Sequence, residues 1–169
     1  MKPHHEHKAH APTTLCFAII TVSDTRTQDT DESGRLIEEL LAKAGHHVAT
    51  RTIVPDDAAR VRATVQAALA STADIVITTG GTGIAPRDVT LEAVTPLLEK
   101  RIHGFGELFR MLSHQSIGPA AMLSRADAGT ARGKVIFLLP GSPDACALAT
   151  SELILPEAAH AWAQATRRS

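Results

Sequence analysis

The chain has 169 residues, 44% of them hydrophobic, and its 17 Lys and Arg against 18 Asp and Glu leave a net charge of −1. That length and composition suit one globular domain with its own core and exclude a disordered chain. Near-neutral charge, aromatics at 3% and no tyrosine argue against a nucleic-acid surface, and no apolar run reaches the length a membrane span requires.

Residues 1–14 read as a solvated tail, with His4, His5, His7 and His10 set among Lys2, Pro3, Lys8 and Pro12. Such a tract holds transition metals loosely, because no regular scaffold fixes the ligands. It contains no long apolar h-region of a signal peptide. Cys16 and Cys146 form no C-x-x-C pair. They read as buried free thiols, and the expectation is a cytoplasmic protein whose folded domain covers residues 15–169.

Leu15–Val22 is an almost continuous apolar run and predicts a buried first strand. A polar loop, Ser23–Asp31, follows. The spacing of Leu36, Ile37, Leu40, Leu41 and Ala44 predicts a helix over Ser33–Ala44, ended by Gly45 as its C′ residue. Val48–Val54 predicts a second strand, nearer an edge. A helix capped by Asp56 or Asp57 comes next, burying Val61, Val65, Ala68 and Leu69. Asp74–Thr79 predicts a third, interior strand.

The third strand runs into Thr78-Thr-Gly-Gly-Thr-Gly83 and then Arg87, Asp88 and Thr90. A strand feeding a glycine-rich turn and a helix brings backbone N–H groups close to a phosphate. The turn is neither a Walker A loop nor the dinucleotide fingerprint G-x-G-x-x-G. After Thr90, Pro96 either kinks one helix or opens a second at its first position, with Thr95 as cap. His103–Gly106 reads as a loop and Glu107–Ser113 as a helix, broken at Ile117-Gly-Pro119. Met122–Thr130 and Lys134–Leu139 flank Arg132-Gly133 and predict an antiparallel pair. Pro140-Gly-Ser-Pro143 is a second tight turn, followed by helices over about Asp144–Leu153 and Pro156–Thr166.

Strands alternating with helices predict a three-layer α/β/α fold, its sheet mostly parallel with an antiparallel edge pair. Ligands of such sheets bind beyond the carboxyl ends of the strands. That rule selects Ser23 and Asp24 after strand one, Asp56 after strand two, the Gly/Thr loop with Asp88 after strand three, and Pro140–Pro143 after the later apolar strand. Carboxylates beside a phosphate cradle need a cation between them. Mg²⁺ held by Asp56 and Asp88 suits that need, with Arg87 opposing phosphate charge. Ser23 and Ser142 have no paired His and Asp that would make either a nucleophile. Glu107 and Arg110 can pair with each other or with solvent. His46, His47, His103, His114 and His160 are scattered and read as surface or structural groups.

Several stretches, in order, resemble the MoaB/MogA family of molybdenum cofactor biosynthesis. They are Val22-Ser23-Asp24, Pro55-Asp56, Thr79–Gly83, Arg87–Thr90, Gly104-Phe-Gly-Glu107, Leu123-Ser-Arg125 and Leu139–Pro143. The resemblance is colinear over about residues 15–155. Asp29–Gly34 and Gly106–Ser113 are more similar to the B-type branch. The resemblance implies a cytoplasmic homo-oligomer, trimer or hexamer, that binds molybdopterin. It implies adenylylation: the pterin's terminal phosphate attacks the α-phosphate of Mg-ATP, giving adenylyl-molybdopterin and pyrophosphate. Asp56 and Asp88 then match the metal-associated aspartates. Binding is expected at Ser23, Asp24, Thr79, Gly80, Gly81, Thr82, Gly83, Arg87 and Thr90, and from later motifs at Glu107, Ser124, Arg125, Pro140, Gly141 and Ser142. The product would pass to a molybdate-inserting protein. The alternative is a non-catalytic molybdopterin-binding oligomer of the B-type branch.

Overall fold

A computed structural model describes residues 14–167. The His-rich tail read over 1–14 lies, Thr14 apart, outside the described residues. The apolar run after Leu15 forms β1 (Cys16–Val22), which is buried on both faces. Phe17 and Ile19 enter one core, and Ile20 and Val22 enter the other, as the period-two geometry of a strand requires. β2 (His47–Val54), β3 (Ile75–Thr79) and β6 (Lys134–Leu139) run parallel with β1, and β5 (Asp127–Ala131) pairs antiparallel with β6. A two-residue strand that the sequence pattern had not marked, β4 (Lys100–Arg101), closes the far edge. The order is β2-β1-β3-β6-β5-β4.

Helices cover both faces, giving the three layers. α1 (Glu32–Lys43) packs Ile37 and Leu41 into the core that holds Phe17 and Ile19. α2 (Ala58–Ala70) packs Val61, Val65 and Leu69 into the opposite core with Ile20 and Val22. The change of face follows from topology. The chain steps from β1 to β2 on one side, then returns past β1 to β3 on the other, and each crossover keeps the same hand. The place where the order reverses, between the ends of β1 and β3, is where open sheets of this type leave a crevice. Register makes the strand ends finish level there: Val22 pairs with Val54, Thr21 with Thr79, and Thr79 with Leu139.

Of the two readings left open at Pro96, the structure has the separate short helix: Thr90–Val94 is α3, and Thr95–Leu97 is a 3₁₀ turn with Pro96 in its first turn and Val94, not Thr95, as its cap. The second half departs from expectation in three other places. His103–Gly106, expected as a loop, is the first turn of α4 (His103–Ile117). Gly106 fits because a Cβ there would overlap the Ala126 carbonyl, so the helix lies directly against the chain that enters β5. Met122 and Leu123, expected in a strand, belong to a 3₁₀ segment, Gly118–Leu123, and their side chains face outward. The last two helices, α5 (Pro143–Ala149) and α6 (Leu155–Thr166), are joined by a π turn, Thr150–Ile154, which takes up the end of the first expected helix. Among the described residues no helix is long and apolar enough to cross a membrane.

Candidate functional site

The turn after β3 is built on two glycines. Gly80 has φ +98° and its N–H donates to the Leu139 carbonyl at 3.0 Å, while a Cβ would overlap the Val22 carbonyl oxygen. The turn is therefore wedged between the ends of β1 and β6. Gly81 has φ +64°, and a Cβ there would strike the Thr90 hydroxyl. Both positions need a residue that takes positive φ without strain. Thr90 closes the loop, its hydroxyl donating to the Gly80 carbonyl at 2.8 Å and its N–H to the Gly81 carbonyl at 3.0 Å. Among the described residues, the N–H groups of Gly81, Thr82 and Gly83 donate to no protein acceptor. Successive unsatisfied donors of this kind form an anion cradle.

The loop lines a cavity of about 380 Å³. Three carboxylates from three crossovers meet in it: Asp24 after β1, Asp56 after β2 and Asp88 after β3. Asp24 and Asp56 lock together reciprocally. The Asp24 amide donates to Asp56 Oδ2 at 3.2 Å, and the Asp56 amide donates to Asp24 Oδ1 at 3.0 Å. Helix capping does not account for Asp56, because Asp57 is the N-cap of α2, accepting from the Arg60 amide at 2.8 Å. Burial, then the charge of Asp24, push the Asp56 carboxyl above the ordinary carboxylate range, and Asp88 adds to this. The Asp24 amide and Arg87 pull the other way. Asp88 accepts from the Ala85 amide at 2.8 Å through Oδ2, which holds it in the loop. Ser23 forms a turn, its Oγ accepting from the amides of Thr25 and Arg26, each at 3.2 Å.

Ser23, Thr82, Gly83, Arg87, Ser124, Pro140 and Gly141 complete the lining, with Val22 and Thr25, which sequence reasoning passed over. Val22 looked like pure core, and Thr25 sat in a loop without periodicity. Five expected residues lie elsewhere. Thr79 is buried beneath the second turn, its hydroxyl donating to the Pro140 carbonyl at 2.8 Å. Thr90 is buried under the first. Ser142 caps α5, accepting from the Ala145 amide at 3.3 Å, and faces a separate groove. Glu107 borders another cavity, with Arg101 and Arg110. Arg125 stands behind the Gly/Thr loop. Its Nε donates to the Gly83 carbonyl at 2.8 Å and its Nη2 to the Asp88 carbonyl at 3.1 Å, while its Nη1 pairs with Glu92. It braces the loop and does not line the cavity.

The second turn is tied from below by two side chains that the sequence reading gave no role at the site. Ser33 Oγ donates to the Gly141 carbonyl at 2.7 Å, and the Cys146 thiol to Pro140 at 3.2 Å. Ser33 lies in the first turn of α1, whose N-cap Asp31 is 2% exposed. Asp31 accepts from the Gly34 amide at 2.9 Å, from Thr21 at 2.9 Å and from Arg51 at 3.0 Å. The capping preference for Asp just before a helix was the available signal.

Among the described residues no three His, Cys, Asp or Glu side chains cluster closely enough to cage a metal. Mg²⁺ needs no such cluster, since it takes one or two carboxylates and completes its shell with water and phosphate. Asp56 and Asp88 could hold such an ion, since both line the cavity and burial, then the charges of Asp24 and Asp88, disfavour a bare carboxylate at Asp56.

A family model described as a probable molybdopterin binding domain matches residues 18–160. The molybdenum cofactor biosynthesis protein B of Bacillus cereus is 53% identical over 157 residues, 92% of this chain and 93% of that protein. A crystal structure of a molybdenum cofactor biosynthesis protein B superposes with a TM-score of 0.90 at 50% identity, covering 94% of this chain and all of the other. The tungsten cofactor synthesizing protein MoaB of Pyrococcus furiosus does so at 0.85 and 42%, over 93% of this chain and all of that one.

Proposed function

The chain belongs to the MoaB/MogA family of molybdenum cofactor biosynthesis proteins, and from that premise we propose that it binds molybdopterin and adenylylates it with Mg-ATP. One observation carries this reading: three carboxylates, a loop of free N–H donors and Arg87 share a single cavity at the switch point of the sheet. A simple binding protein for an anionic pterin has no use for three acidic groups beside its phosphate cradle.

In the proposed step an oxygen of the pterin's terminal phosphate bonds to the α-phosphorus of ATP. The bond from that phosphorus to the β-bridging oxygen breaks, and pyrophosphate leaves with the electron pair. Asp56 and Asp88 would hold a magnesium ion, which would neutralise polyphosphate charge. The chain's own groups position and stabilise. The amides of Gly81, Thr82 and Gly83 donate to phosphate oxygens, Arg87 opposes charge at the rim, and the Asp24 amide keeps the Asp56 carboxylate turned inward. No protein nucleophile is required, since catalysis of this type rests on orientation and fixed dipoles. The protein works in this reading as a cytoplasmic trimer or hexamer, which the exposed Leu108, Met111, Ile117 and Met122 support, and hands its product to a molybdate-inserting protein.

The test is pyrophosphate release from Mg-ATP and molybdopterin by the purified chain. Asp88→Asn keeps an acceptor for the Ala85 amide and is expected to lower turnover at least a hundredfold with the oligomer intact. Unchanged turnover would remove Asp88 from the site.

A further inference from the structure

Thr79 stands among the residues that the family resemblance assigns to binding, yet it is fully buried and does not line the first cavity. Its hydroxyl donates to the Pro140 carbonyl at 2.8 Å, with the Cys146 thiol as a weaker second donor at 3.2 Å. The next carbonyl of the turn, that of Gly141, accepts from the Ser33 hydroxyl at 2.7 Å. Two consecutive carbonyls are thus drawn down into the protein. The Pro140–Gly141 peptide is trans, and a trans peptide holds its N–H antiparallel to its carbonyl. With the Pro140 oxygen tied beneath, the Gly141 N–H points the opposite way, on the side where Gly141 lines the first cavity. Among the described residues that N–H donates to no protein acceptor. The turn also lies against the first loop, since a Cβ on Gly141 would stand 3.3 Å from the Gly80 Cα. The Gly141 donor therefore joins those of Gly81, Thr82 and Gly83 around one space.

Local sequence does not set this orientation. A Pro-Gly pair favours the turn whose glycine takes positive φ, and Gly141 is not among the positive-φ glycines. Packing does not set it either. A cavity of about 90 Å³ lies beneath the two turns, with Asp31, Ser33 and Thr79 in its lining, so the peptide has room to turn over. The hydroxyl bonds are what hold it. Turning the peptide over would bring the Pro140 oxygen into the first cavity, beside Asp24, Asp56 and Asp88, and take the donor out. The wall would then repel a phosphate that it now attracts. Resting on the reading that phosphate groups react in this cavity, we propose that Thr79, assisted by Ser33, is a positioning residue: it fixes the Pro140–Gly141 peptide so that the Gly141 N–H donates to a phosphate oxygen. Thr79 touches no substrate, and its effect passes through one backbone donor. The position needs a hydroxyl, because valine would suit the buried strand equally well but would leave the carbonyl to the thiol alone.

The test follows the amide resonances of the full chain, isotope-labelled at glycine nitrogen. It is titrated separately with inorganic phosphate, standing for the monoester end of the pterin, and with magnesium pyrophosphate, standing for the nucleotide tail. Thr79→Val and Ser33→Ala remove the two hydroxyl bonds, Thr79→Ser restores the first, and each is checked for an unchanged circular dichroism spectrum. In the natural chain at least one anion is expected to shift the Gly141 amide, and which one it is tells whose phosphate the donor holds. Thr79→Val should abolish that shift and weaken the same anion at least tenfold, in line with one hydrogen bond to a charged group. Ser33→Ala should weaken it severalfold, and Thr79→Ser should bind as the natural chain does. A Gly141 amide that neither anion moves, or a folded Thr79→Val that binds as tightly as the natural chain, would overturn the proposal. Should Thr79→Val not fold, unchanged affinity in Ser33→Ala overturns it in the same way. Pyrophosphate release from Mg-ATP and molybdopterin is scored independently. Anion binding that depends on Thr79, without turnover, defeats the adenylylation reading alone, and turnover with an unmoved Gly141 amide defeats this inference alone.

Discussion

Asp56 and Asp57 are neighbours with opposite duties. Asp57 caps α2 and contributes to folding, so Asp57→Ala is expected to cost about 1 kcal/mol of stability. Asp56 is held among like charges in a partly buried site. Asp56→Asn should therefore leave the denaturation midpoint unchanged or raised while abolishing turnover. Paired urea melts and pyrophosphate assays separate the two, and a large loss of stability in Asp56→Asn would show that the residue is structural. Cys146 gives a prediction in pH. Burial pushes its thiol from 9.0 up to about 11, against weaker hydrogen bonds from Thr79 and Ser33. The folded chain thus keeps a proton that the unfolded chain loses near pH 9. Above that pH the unfolded state binds fewer protons, and stability falls as pH rises, by about 2 kcal/mol at pH 11. The chain has no tyrosine to add a competing phenol. Urea melts from pH 8 to 10.5 should slope downward in the natural chain and less steeply in Cys146→Ala. Equal slopes would mean the thiol titrates normally.

Between elements, the Gly/Thr loop is held at both ends by residues outside the cavity: Thr90 from α3, and Arg125 from the segment entering β5. Hydrogen bonds from a charged group are worth about 1.5–3 kcal/mol each. Arg125→Ala should thus speed amide exchange across residues 81–88 and lower kcat/KM at least tenfold, and Arg125→Lys should restore only part. Unaltered exchange in that loop would show that the brace is idle. The strands and the loop were legible because both signals are local. Near-continuous apolar runs mark β1, β3 and β6, and only glycine fits Gly80 and Gly81. What sequence could not show depends on neighbours far along the chain. Arg125 looked like a ligand-binding residue because nothing local says its guanidinium meets carbonyls 37 and 42 positions away. Met122 and Leu123 looked like a strand because their apolar character is real, though it points outward. Gly104 and Gly106 looked like a loop because close packing on Ala126, which makes Gly106 useful inside α4, is a tertiary contact.

At the scale of the whole molecule, two features remain open on the surface. Leu108, Met111 and Ile117 on α4, with Met122 just beyond, expose large apolar side chains, and an apolar surface of this kind suits an interface. Light scattering after gel filtration should give a trimer or hexamer, and Met111→Glu with Ile117→Glu should give a smaller species. A monomeric natural chain would contradict the oligomer. The other feature is the convergence of three crossovers on one cavity at the reversal of strand order, and the account stands or falls on what happens there. The most direct measurement is the yield of pyrophosphate and adenylyl-molybdopterin from Mg-ATP and molybdopterin in a single-turnover reaction. The account predicts that the two form in equal amounts, and that Asp56→Asn and Asp88→Asn each suppress both. Tight molybdopterin binding with no pyrophosphate would contradict it and leave a carrier in place of an enzyme.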